Sequence, residues 1–206
     1  SMAALAVGGR RAGGEAKRLH LGVVNYIVAK GWDLVTLLRL VGEAGFEGVE
    51  FRSTHAHGVE PTLSPSERGE VKRKCAAAGM KQVSLGTACE FHSPDPAVVR
   101  KNIEEVREWV LLARDLGARG IKVRPNGLPE GVPVDKTLEQ IGPALTECGE
   151  IATADGVEIW VEDHGQGTRE PANMRRNMDA CGHPAVGITW NSNDSDVKGG
   201  SVRESL

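Results

Sequence analysis

Short runs rich in β-branched residues alternate with longer amphipathic runs that close on glycine, and the pattern recurs about every 30 to 35 residues, the length of one βα unit. The strand-like runs are 21–27, 48–53, 82–89, 120–124, 157–164 and 186–191. Between them, DLVTLLRLVGEAG opens at Asp33 and closes at Gly45, while SPSERGEVKRKCAAAG opens at a Ser-Pro and closes at Gly79. Three further segments close at Gly117, Gly156 and Gly182, where a helix finds its left-handed stop. Strands joined by helical crossovers must lie parallel, so the chain is predicted to be an α/β protein with a parallel sheet.

The choice between an open doubly wound sheet and a TIM-type (β/α)8 barrel turns on side-chain alternation within the strands. An open sheet covered on both sides needs two apolar strand faces and a glycine-rich phosphate loop after the first strand. GVVNYIVAKGWD has no such loop. VEIWVEDHG places Val157, Ile159 and Val161 on one face and Glu158, Trp160, Glu162 and His164 on the other. GVEFRS sets Glu50 and Arg52 opposite Val49 and Phe51, and GIKVRPN sets Lys122 and Arg124 opposite Ile121 and Val123. In a barrel, one strand face meets the helical ring and the other lines the interior, where ionisable groups near the C-terminal strand ends build a site. About six βα units of such a barrel are legible.

With 206 residues and 40% hydrophobic content, one domain is expected: a flexible N-terminal tail over 1–18 and a partial barrel over 19–206. A net charge of −3 without a clustered basic patch argues against nucleic-acid binding, and no run reaches the length of a membrane span. Cys75, Cys89, Cys148 and Cys181 are scattered without metal-module spacing and read as reduced thiols of a cytoplasmic protein. Uncovered first and sixth strands predict a homo-oligomer, because unpaired edges invite pairing.

Glu162 is the leading metal-ligand candidate, as a carboxylate at a strand end suits a divalent Lewis acid. An ion pair between Glu162 and an interior Lys or Arg is the competing reading. His164, two residues on, would line the same pocket. RSTHAHGVEP offers Arg52 as an anion or hydroxyl clamp; the spacing of His55 and His57 could suit a metal, but two loop histidines are more often solvated or facing substrate. Glu90 in CEFHSPDP is an acid/base or sugar-hydroxyl candidate, or else a partner for Lys122 or Arg124. Lys122 and Arg124 complete the substrate-binding set.

GFEGVEFR, HSPDPAVVRKNIEEVREWVLLARDLGARGIKV, VEIWVEDHG and VGITWNSND, in this order and spacing from His20 onward, resemble the xylose isomerase-like (β/α)8 superfamily. The resemblance implies a metal-dependent isomerase or epimerase acting on a sugar, sugar phosphate, ketose or cyclitol. A lyase or dehydratase on the same scaffold, or a non-catalytic open barrel completed by a partner chain, are the alternatives. It further implies a divalent ion (Mn²⁺, Mg²⁺, Co²⁺ or Zn²⁺) held by Glu162, which would also be a catalytic acid/base, with Asn191 where the superfamily usually has an Asp. The usual His and Glu ligands from a seventh and an eighth strand have no counterpart here, and the sequence reads as C-terminally truncated at the start of a sixth helix.

Overall fold

The structure, a computed structural model, describes residues 19–191 and 193–203, so the tail expected over 1–18 lies outside the described residues. Strands β1 (Gly22–Val24), β2 (Gly48–Arg52), β3 (Gln82–Glu90), β4 (Gly120–Arg124), β5 (Glu158–Glu162) and β6 (Val186–Thr189) form one sheet. They alternate with α1 (Leu34–Glu43), α2 (Pro65–Ala77), α3 (Pro96–Leu116), α4 (Val134–Thr153) and α5 (Pro171–Cys181). Every ladder is parallel and the strands lie in chain order, which is the arrangement of a partial TIM barrel. Among the described residues β1 pairs only with β2 and β6 only with β5.

Local chemistry sets the helix boundaries. Asp33 accepts the Thr36 amide at 2.9 Å, and Ser64 and Glu67 close a reciprocal capping box before α2. Asp95 caps α3 with Pro96 at its first position, and Gly117 ends it at φ 72°, a conformation that costs glycine little. Where a sixth helix was expected to begin, the chain forms a 3₁₀ turn, Asp194–Asp196.

The outward strand residues form the core with the helices. Phe51, Leu85, Ile121 and Ile159 are fully buried with Val106 and Val110 of α3 and Leu145 of α4. Each such side chain contributes about 1.5–3 kcal/mol relative to exposure. The edges differ: Leu21 is 68% exposed beside β1, and Ile188 on β6 is 47% exposed. All four cysteines are free and buried, and no described helix is long and apolar enough to cross a membrane.

Several strand limits differ from expectation. β1 stops at Val24 rather than residue 27, β3 runs on to Glu90, and β6 stops at Thr189. The run 157–164 is strand only over Glu158–Glu162. Asp163 still donates its amide to the Thr189 carbonyl, but beyond it the backbone turns through Gly165 at φ 115°, whose missing Cβ lets it lie against Asn126. This turn takes His164 off the strand.

Candidate functional site

The register brings the inward residues into rows. Glu50 stands opposite Ser84; Arg52, Gly86, Lys122, Trp160 and Gly187 form the next row; Glu162 stands opposite Thr189. A lysine side chain is long enough to reach across rows. The Lys122 Nζ lies 2.8 Å from Glu50 Oε1 and 3.3 Å from Glu162 Oε1. One ammonium therefore links β2, β4 and β5, and all three side chains are largely withdrawn from solvent, at 12%, 12% and 20% exposure. Glycine at position 86 makes the crossing possible, since a Cβ there would lie 2.7 Å from Glu50 Oε1.

These groups face a cavity of about 530 Å³ on the concave side of the sheet. Lys122, Glu162, Trp160, Thr189, Trp190 and Asn191 are among the residues that line it. The Glu162 carboxylate has Lys122 as its partner among the described residues, which leaves Oε2 for a ligand. The Trp160 indole is anchored by donating to Glu158 at 2.8 Å, and Trp190 donates to Asp196 at 2.9 Å. Both offer flat apolar surface with their polar edges already satisfied.

The other expected substrate-binding residues do not line this cavity. Glu90 and Arg124 pair at 2.5 Å, brought opposite each other by an irregularity in β3 between Gly86 and Glu90. Thr87 patches that irregularity, donating to the Lys122 carbonyl at 2.8 Å and accepting the Cys89 amide at 3.1 Å. Arg52 donates to the Ser53 hydroxyl and, at 3.3 Å, to the Gly86 carbonyl. Its guanidinium braces the strand ends instead of standing free as an anion clamp.

Both histidines of the loop after β2 make backbone contacts. His57 is buried, with Nε2 2.9 Å from the Arg52 carbonyl and Nδ1 accepting the Val59 amide at 2.9 Å. Desolvation holds its pKa below the ordinary imidazole value, in keeping with a neutral ring that pins the loop. His55 bonds the Asn25 carbonyl at 3.0 Å and stacks on Tyr26 with ring centroids 5.8 Å apart. His164, expected to share the Glu162 pocket, is exposed on the loop beyond β5. Period-two alternation holds only while the strand lasts, and it ends at Glu162.

Glu50, Trp160 and Thr189 line the cavity and fell outside the candidate set although strand parity marks them: Glu50 shares a face with Arg52, Trp160 with Glu162 and Thr189 with Asn191, while Trp190 lies just beyond the end of β6. Asp163 was also passed over. It is 5% exposed, and burial, reinforced by the nearby Asp196 charge, pushes its carboxyl up to about 6. Asn193 donates to its Oδ2 at 3.0 Å, while Oδ1 is buried without a partner.

Among the described residues the donor set does not fit a divalent ion. Among the described residues no three His, Cys, Asp or Glu side chains converge as a metal-binding group. Glu162 and Asn191 share the cavity, but the Lys122 ammonium stands against the carboxylate an ion would need. Like unit charges 4 Å apart repel by about 4 kcal/mol at an effective dielectric constant of about 20, and a divalent ion doubles that.

The family model described as xylose isomerase-like TIM barrel matches residues 38–193. No curated protein sequence matches the chain. Among solved structures, a D-psicose 3-epimerase in the presence of D-fructose is similar at 14% identity and TM-score 0.69, covering 84% of this chain and 63% of its own. The 3-keto-D-glucoside 4-epimerase YcjR from E. coli, in apo form, gives 14% identity and TM-score 0.73, covering 92% and 74%. An IolI protein with a bound zinc atom gives 18% identity and TM-score 0.68, covering 82% and 62%. The chain thus spans about two thirds of the length of these relatives, and at such identities the likeness is one of fold. With most of its length matched by the family model and its six parallel strands in barrel order, the chain belongs to the xylose isomerase-like TIM barrel family.

Proposed function

We propose that the chain is a sugar isomerase/epimerase-like protein whose concave cavity takes a sugar or sugar derivative, with Glu162 as the acid/base. The carrying observation is a partly buried carboxylate, held from one side by Lys122, facing a cavity that also presents Thr189, Asn191, Trp160 and Trp190. Hydroxyl and amide groups suit sugar hydroxyls, and indole faces suit the apolar face of a sugar. The fold shared with sugar epimerases supports the same reading.

In this reading Glu162 takes a proton from the carbon beside a carbonyl. The C–H electron pair moves toward the carbonyl oxygen, and Glu162 returns the proton from the same side, to the same carbon or to the neighbouring one. Lys122 holds the carboxylate from one side, at the wall of the cavity. Glu162 and Asn191 would be donors to the divalent ion that the resemblance implies, but the Lys122 ammonium stands against that carboxylate.

Ketoses incubated with the chain in D₂O, followed by NMR, test this. Deuterium should enter the carbon next to the carbonyl, and Glu162→Gln should slow that entry by roughly 10²-fold or more. Unchanged exchange in the variant, or no exchange above background in the wild type, overturns the assignment. Loss of water from the product would assign a dehydratase instead.

A further inference from the structure

The Glu50, Lys122 and Glu162 cluster has a second consequence, for ion selectivity. A metal ion bridging carboxylates lies about 2.1 Å from each oxygen. Here the position between two inward carboxylates already holds a positive charge, at 2.8 and 3.3 Å from their oxygens. The placement is built into the fold: Lys122 sits on the middle strand of the three, and Gly86 removes the Cβ that would block Glu50 from reaching it. The contact is also sheltered, so solvent screens it little.

We propose that Lys122 is the resident cation of this cavity, positioning the Glu162 carboxylate and excluding a divalent ion from it. The inference shares the cavity with the sugar-site reading but does not depend on turnover. A failed deuterium exchange leaves it standing, and its own failure leaves the exchange assay intact. The ammonium lies within ion-pair distance of both carboxylates and at the cavity wall, where an oxygen of an occupant can also reach it.

The test is a calorimetric Mn²⁺ titration of the chelator-stripped 206-residue chain. Wild type and Lys122→Arg, which keeps the charge, should show no binding that depends on Glu162. Lys122→Met should gain Mn²⁺ affinity by roughly tenfold or more, into the range of about 10⁻⁴ M typical of weak carboxylate sites, and lose it again with Glu162→Gln added. Lys122→Gln, neutral but polar, serves the same purpose should the Met variant not fold. Stoichiometric Mn²⁺ binding by the wild type that Glu162→Gln removes would overturn the proposal. So would the absence of any gain in a folded neutral variant, because the exclusion would then not be due to the lysine charge.

Discussion

The two faces of the same strands show opposite physics. On the outer face Phe51, Leu85, Ile121, Val123, Ile159 and Val161 are all 0% exposed and pack beneath the helices. On the inner face, one residue along, stand Glu50, Lys122, Arg124 and Glu162, each held by an opposite charge. Apolar burial contributes stability directly, whereas a desolvated ion pair roughly breaks even against a hydrophobic replacement. The outer face therefore carries the fold. The inner face is tolerated because its charges are paired.

The largest test of this contrast is Phe51→Ala. It should cost about 3–5 kcal/mol by denaturant unfolding, since a fully buried ring leaves a cavity that helices cannot close. A cost near zero would mean the outer face is not the main carrier. On the inner face, Lys122→Met should cost about 3 kcal/mol, because two carboxylates lose their shared partner. Replacing the cluster together, with Glu50→Leu, Lys122→Met and Glu162→Leu, should recover most of that loss while abolishing deuterium exchange. A triple variant as unstable as the single one would make the cluster a stability element and blur the division.

Asp163 gives the smallest and most specific test, as an acid that continues the outer, apolar row of β5. Its folded pKa, raised to about 6, lies above that of an unfolded aspartate. The folded state therefore binds more protons between the two values. This stabilising contribution is fully present below the unfolded pKa and is lost as pH rises through about 6. Asp163→Asn should accordingly raise Tm more at pH 8 than at pH 4.5. An equal shift at both pH values would remove the link to ionisation.

Much of the fold was legible because its signals are local. Asp33, Ser64 and Gly117 act within a turn of their own helices, and the alternation in GVEFR, GIKVR and EIWVE separates the faces without reference to any partner. The pairing of Glu162 with an interior cation stood among the readings of the residues, and so did the pairing of Glu90 with Arg124. The place of His164 was not legible. It depends on where β5 ends, and that is decided by Gly165 packing on Asn126 from another loop. His57 likewise looked available until its ring was seen bonded to the Arg52 carbonyl and the Val59 amide.

By itself, then, the sequence determined the parallel α/β class, the helix limits and the division of each strand into an aliphatic and an ionisable face. All of these follow from backbone periodicity and nearest neighbours. Only the tertiary structure decided which charges meet. The meeting of Glu50, Lys122 and Glu162 depends on the register of four adjacent strands and on the absence of a Cβ at Gly86. Side-chain reach across strands is a property of that register, and no local stretch of sequence encodes it.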